Sequence, residues 1–184
     1  MQPPKTLTSE CRYAGRVFDL VVEEIEYPSG NRSVREIARH PGGAVIVPLL
    51  NDGSVILVRQ YRYPFHQYVV ELPAGKLEAG EDPRHCAERE LEEETGYGAA
   101  SFTRLTAIYT TPGFCSEVLH IYLAQGLRPG KLGQRLEEGE QTLTLMTVPL
   151  PEALAMIERG EIVDAKTISG LFLASRRLAK REIT

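Results

Sequence analysis

The sequence predicts an α/β fold: a mixed core of strands and helices, preceded by a small β module. Two observations carry that expectation. β-branched runs bounded by turn residues recur through the first 73 positions and again between residues 102 and 149, while three stretches show helical starts, stops or periodicity. A length of 184 residues suits one domain, or one domain with a small appendage, and 42% hydrophobic residues supply a substantial core.

Taken in order, VFDLVVEEIEY (17–27) and SVREIARH (33–40) flank the turn cluster PSGN and predict a hairpin. HPGG (40–43) then breaks the chain, which sets the expected division into a β module over 1–40 and a main domain over 41–184. GAVIVPLL (43–50) and SVILVRQY (54–61), either side of NDG, predict a second hairpin, and their continuous apolar character implies cover on both faces. Further strands are expected at 67–73, 102–110, 117–125 and 142–149. PEALAMIERG (151–160) has Pro near its first turn and Gly past its end, the asymmetry of a helix. Residues 164–181 form a longer amphipathic pattern with basic residues in the last turns, where they oppose the negative end of a helix dipole.

Composition excludes several classes. A formal net charge of −4 argues against general binding to a nucleic-acid backbone. No apolar run approaches the ~18 residues of a membrane span, and the first fifteen residues lack the apolar stretch of a signal peptide. The three cysteines, Cys11, Cys86 and Cys115, are widely spaced and odd in number, which fits neither a disulfide framework nor a zinc site and points to a reducing cytoplasm. Each reads as a small core residue rather than a nucleophile.

The informative stretch is GKLEAGEDPRHCAERELEEETGY (75–97). Asp82 ahead of Pro83 is a helix-start signal and Gly96 a natural stop. At 100° per residue Glu90, Glu93 and Glu94 share an arc of roughly 100°, whereas Glu88 and Glu92 point the other way and Arg84 can pair with Glu88. Like charges at these spacings oppose helix formation, and the segment contains no lysine to dilute them, so the trio asks for a counterion. Oxygen ligands without His or Cys favour Mg²⁺ or Mn²⁺ over zinc. A solvated acidic surface is the competing reading when the trio is taken alone.

The whole stretch resembles the Nudix box, G-x5-E-x7-R-E-U-x-E-E-x-G-U. Gly75, Glu81, Arg89, Glu90, Leu91, Glu93, Glu94 and Gly96 fill their slots without a gap, and only Tyr97 departs, where an aliphatic residue is usual. The resemblance implies the family's α/β/α sandwich with a mixed sheet and Mg²⁺-dependent hydrolysis of a nucleoside diphosphate linked to another moiety, with Mn²⁺ as the alternative ion. It places metal ligands at Glu90, Glu93, Glu94 and the carbonyl of Ala74, counts Glu93 also among the catalytic residues, and gives Arg89 and Glu81 a structural role, direct phosphate contact being the alternative for Arg89.

Three further stretches resemble the ADP-ribose pyrophosphatase branch. In YTTPGFCSE (109–117), Pro112 lies sixteen residues after Gly96, and Glu117 falls where the branch has a substrate-contacting acid; Thr111 stands where Ser is usual. LPAGKLEAGE (72–81) resembles that branch's approach to the box. RLEEGEQTLTL (135–145) resembles its acidic loop, which implies Glu138 as general base and Glu140 as a further metal carboxylate, with Glu137 and Glu140 the competing pair. Arg35 and Arg62 are the candidates for phosphate or ribose contact, Arg59 being the alternative to Arg62, because a planar guanidinium suits bidentate oxygen recognition. Phe18 stacks on the adenine or else lies in the core. In the branch the N-terminal strands exchange between subunits, which implies a homodimer with Arg35 acting in trans; the charge balance and the short apolar runs argue against nucleic acid and membrane as partners. The implied reaction is cleavage of ADP-ribose to AMP and ribose 5-phosphate. Another sugar nucleotide, such as GDP-mannose or ADP-glucose, remains open, and so does a non-catalytic ADP-ribose sensor, although a sensor is expected to have lost the box glutamates that this chain keeps.

Overall fold

A computed structural model describes residues 2–136, 138 and 141–180. Among them the chain forms ten strands, three α-helices and one short 3-10 turn, divided between two compact units.

The first unit runs to Gly42 and takes in Tyr109–Val118. Its sheet has the order β1-β2-β3, from β1 (Lys5–Ala14), β2 (Asp19–Glu26) and β3 (Arg32–Arg39), all antiparallel. β2 and β3 are the predicted first hairpin, closed where Gly30 N–H donates to the Tyr27 carbonyl (2.8 Å). β1 was not expected from the sequence. Its ten residues are exposed almost throughout, so no apolar alternation marks it. The 109–118 loop joins this unit through β3, with Ala38 N–H donating to the Phe114 carbonyl (2.8 Å) and Ser116 N–H to the Ala38 carbonyl (3.0 Å).

The second unit holds a seven-stranded mixed sheet. Its main path is β10 (Thr144–Pro149), β5 (Ser54–Arg62), β4 (Gly43–Leu49), β9 (Val118–Pro129), β8 (Tyr97–Tyr109). β6 (Gln67–Glu71) adds to β5 and β7 (Ala74–Lys76) to β4, both antiparallel. The second predicted hairpin is only partly realised. β4 and β5 meet at Leu49↔Val55, after which β5 pairs with β10 and β6 while β4 runs parallel to β9 over its whole length. A buried apolar strand satisfies its ladder from any neighbour, so a strand's apolar run leaves its partner undetermined.

β4 is buried at all seven positions, and its alternation splits the core in two. Val45, Val47 and Leu49 face a cluster shared with α2 (Leu150–Glu158) and α3 (Ala165–Ala179), whereas Ala44 and Ile46 pack with Cys86, Ala87 and Leu91 of α1 (Pro83–Thr95). Helices therefore cover both faces of the sheet, the α/β/α sandwich expected. No helix among the described residues is long and apolar enough to cross a membrane.

Candidate active site

α1 starts and stops where its sequence dictates. Asp82 accepts from Arg84 N–H (2.9 Å) and Pro83 occupies the first turn. Gly96 adopts φ +74° and its N–H closes on the Glu92 carbonyl (2.8 Å). Between these caps, Cys86, Ala87 and Leu91 anchor one face to the sheet, which turns Glu90 and Glu94 toward β7. Both carboxylates are buried, 8% and 3% exposed.

Their environment explains how two acids tolerate that burial. Ala74 N–H donates to Glu94 Oε2 (3.1 Å). Glu90 lies over Gly75 so closely that a Cβ there would run into its carboxylate, so the first box glycine is required by close approach. The start of β7 and the two acids thus form a set of oxygen donors with no nitrogen or sulfur ligand among Ala74, Gly75, Glu90 and Glu94. That chemistry fits a hard divalent ion. As the side chains stand, no three His, Cys, Asp or Glu among the described residues converge as a ready-made cage. Arg89 instead neutralises much of the charge.

The Arg89 guanidinium is fully engaged. Nε and Nη2 grip Glu81 (3.0 and 3.1 Å), Nη1 reaches Glu90 (2.6 Å) and Glu93 (3.1 Å), and Nη2 also meets the Lys76 carbonyl (3.2 Å). Hydrogen bonding to Glu81 is the largest cause holding the Arg89 pKa above its ordinary value, and the same pair holds Glu81 below the usual carboxylate range. Arg89 and Glu81 therefore tie the loop to the helix. Glu93 separates from its two neighbours, because its other oxygen accepts from Arg135 Nη2 (3.0 Å). Glu88 pairs with Arg84 (3.0 Å), and Glu92 accepts from Leu132 N–H (2.8 Å).

Arg135 belongs to a segment laid along the C-terminal half of α1. Gln134 Nε2 donates to the Glu94 carbonyl (2.7 Å) and Arg135 N–H to the Glu93 carbonyl (2.8 Å). Glu138 follows three residues later and is exposed. Glu137 and Glu140 lie outside the described residues. The sequence offered no signal for the Arg135 anchor, since its partner is 42 positions away.

Arg62 is held by a group that sequence reasoning missed. Glu71, 3% exposed, accepts from Arg62 Nε (2.7 Å) and Nη2 (2.6 Å) and from Lys166 Nζ (2.5 Å). Burial alone would raise the Glu71 pKa, but hydrogen bonds from Arg62 and the charge of Lys166 outweigh it and hold the carboxyl below its ordinary 4.5. Two edges of the Arg62 fork are thereby committed, which leaves Nη1 for another partner, and Arg62 also feels the charge of Glu94. Arg59, the alternative, stacks 4.2 Å from the centre of the Tyr68 ring.

The remaining candidates lie in the first unit. Arg35 donates to Ser33 Oγ (2.9 Å) and the Val34 carbonyl (2.8 Å) and contacts the Tyr27 hydroxyl. Phe18 is 43% exposed, so the core role weighed for it is not the one it has. Pro112 sits in a turn in which the Phe114 and Cys115 N–H groups close on the Thr111 carbonyl (3.1 and 2.9 Å). Glu117 Oε1 lies 3.4 Å from His40 Nδ1, yet that nitrogen already accepts from Gly42 N–H (3.0 Å), so in neutral His40 it has no proton to give Glu117. Of the cysteines only Cys86 is buried; its thiol is pushed up to about 12, first by burial, which makes it inert. Cys11 is exposed and Cys115 half-buried, contrary to a core role for all three.

A model of the NUDIX domain matches residues 39–170. The chain is 45% identical over 163 residues to an ADP-ribose pyrophosphatase of Bacillus subtilis (strain 168), covering 89% of this chain and 88% of that protein. It is 44% identical over 164 residues to a methanol dehydrogenase activator of Bacillus methanolicus, with the same coverage of each. A solved structure described as an ADP compounds hydrolase superposes with a TM-score of 0.86 at 28% identity, covering 98% of this chain and 97% of that one. With the box residues arranged as described around Gly75 and α1, the chain belongs to the Nudix family.

Proposed function

We propose that the chain hydrolyses the pyrophosphate linkage of ADP-ribose to AMP and ribose 5-phosphate with Mg²⁺ as its working cation. The observation that carries this reading is the pairing of buried Glu90 and Glu94 against Ala74 and Gly75 of β7, in a chain that covers most of an ADP-ribose pyrophosphatase at 45% identity. Glu90, Glu93, Glu94 and the Ala74 carbonyl would hold the cation, with Glu140 added from the acidic loop. When bound, it supplies positive charge that a diphosphate can approach where bare carboxylates would repel it.

The protein's own groups divide the remaining work. Glu138, exposed and three residues beyond the Arg135 anchor, takes the proton of the attacking water as general base. Arg62 offers Nη1 to a phosphate while Glu71 fixes its other edge. Arg35, Phe18 and Glu117 bind substrate across a homodimer, Arg35 in trans. The free cysteines suit the cytoplasm as the compartment.

The test is chromatographic product analysis after incubation with ADP-ribose, ADP-glucose and GDP-mannose, with Mg²⁺, with Mn²⁺ and with EDTA. AMP and ribose 5-phosphate from ADP-ribose, abolished by EDTA, is the expected result. Preference for another sugar nucleotide would overturn the substrate and keep the chemistry, whereas ADP-ribose binding without turnover would overturn the enzyme.

A further inference from the structure

Alternating charges connect the start of α3 to Arg62. Asp164 caps the helix, its Oδ2 accepting from the Thr167 N–H (2.9 Å) and the Thr167 hydroxyl (2.6 Å). Lys166 Nζ lies 3.1 Å from the same oxygen and donates to Glu71 Oε2 (2.5 Å). Glu71 Oε2 also accepts from Arg62 Nη2 (2.6 Å), so a lysine and an arginine share one carboxylate oxygen. The centre of this row is enclosed, with the Lys166 and Glu71 side chains 13% and 3% exposed. It borders a cleft of about 380 Å³ whose other walls include Pro64, Phe65, Val69 and Val163. Apolar walls leave the charges less screened than on an open surface.

Glu71 does not need the lysine in order to be satisfied. Arg62 alone reaches both of its oxygens, through Nε and Nη2. Holding an ammonium in this enclosed place costs desolvation and side-chain freedom. What Lys166 changes is the charge of the group. With it, two cations meet two carboxylates. Without it, Asp164 and Glu71 would outnumber Arg62, which also feels the charge of Glu94. A diphosphate would then meet an arginine whose positive charge is more than cancelled by its own partners. Lys166 also restrains the Glu71 carboxylate from a second element, and the plane of that carboxylate sets the plane of the Arg62 fork.

We propose that Lys166 is a positioning residue for the hydrolysis: acting through Glu71, it fixes the Arg62 fork and keeps that arginine's charge available to a substrate phosphate. The inference rests on the reading of Arg62 as a phosphate contact. Its effect falls on binding rather than on the chemical step, because a phosphate held by Arg62 is negative before the reaction as well as during it. A lysine that only braced the fold would change the melting temperature and leave the affinity of the folded protein as it was.

Titration calorimetry of the whole chain with inorganic pyrophosphate in Mg²⁺ tests it, because that probe carries neither base nor sugar. Lys166→Met and Glu71→Gln should each bind about fivefold or more weakly than the wild type. The double variant should bind no more weakly than the weaker single one, because both substitutions break the same link. With ADP-ribose, Lys166→Met should raise KM by a similar factor and hold kcat within about threefold. Lys166→Gln, which keeps a donor for Glu71 without the charge, takes its place if Lys166→Met does not fold. No pyrophosphate binding by the wild type, losses that multiply in the double variant, or a kcat that falls while KM stays would each overturn the proposal. So would an affinity in Lys166→Met within about twofold of the wild type. A wild type that binds pyrophosphate but leaves ADP-ribose intact would instead sink the substrate reading, and the binding arm would still decide the role of Lys166.

Discussion

Glu90 and Glu94 occupy positions that an acid accepts only with compensation. Glu94 has the Ala74 N–H, and Glu90 has Arg89 and the space left by a missing side chain at Gly75. Gly75→Ala should therefore displace Glu90 and abolish turnover in a protein that still folds, as read by product formation beside circular dichroism. Glu94→Gln keeps the shape and removes the charge, and should lower turnover by about 100-fold or more. Glu71 makes a prediction of a different kind. Its pKa is lowered in the folded chain, so its contribution to stability is fully present above about pH 4.5 and is lost as pH falls through the folded value. Glu71→Gln should flatten the stability profile of denaturant melts below pH 4.5, and should cost about 1–3 kcal/mol at neutral pH. The lower part of that range is favoured because Arg62 is 39% exposed and partly screened by water.

At the scale of elements, α1 depends on its ends as much as on its packed face. Asp82→Ala removes an N-cap acceptor and should cost ~1 kcal/mol in thermal or chemical melts. Gly96→Ala forces a side chain into positive φ and should cost a similar ~1 kcal/mol. A variant that melts unchanged in either case would mean that the cap is not what positions the helix. Both substitutions also act on the site, because the segment carrying Gln134 and Arg135 is hung on the last turn of the same helix. The two helices on the opposite face reach the site less directly. Thr167 of α3 accepts Leu72 N–H through its hydroxyl (2.8 Å), and Lys166 neutralises Glu71, so the start of that helix is fixed to the end of β6 just ahead of β7.

For the whole molecule, the proposed homodimer gives a prediction independent of chemistry. Sedimentation velocity should show a dimer at the concentrations at which ADP-ribose is turned over, and Arg35→Ala mixed with Glu94→Gln should recover part of the activity that each lacks alone. A fully active monomer would end the idea of exchange. The three-stranded first unit buries little of β1, which is consistent with a surface that gains cover from another chain. The loop carrying Pro112 and Glu117 is clustered with that unit, through β3, and not with the two strands it connects.

Much of the site was legible because the information it needs is local. Asp82, Pro83 and Gly96 set the helix by short-range hydrogen bonding and backbone conformation, and the spacing of Glu90 and Glu94 puts both on one face whatever lies opposite. The pairing of Arg84 with Glu88 and the apolar runs of β4 and β5 were legible for the same reason. What β4 pairs with was not, since a strand buried on both faces carries no mark of its neighbour, and β1 escaped notice because it has hardly any buried side to show. Arg62 was foreseen as a cation, but its restraint by Glu71 and Lys166 joins residues up to 95 positions apart. Local chain chemistry was enough to specify the acidic helix, its limits and the face its carboxylates share. Which of those carboxylates are buried against Gly75 of β7 and which are taken by arginines was settled by packing alone, because that choice depends on elements brought together by burial rather than by chain order.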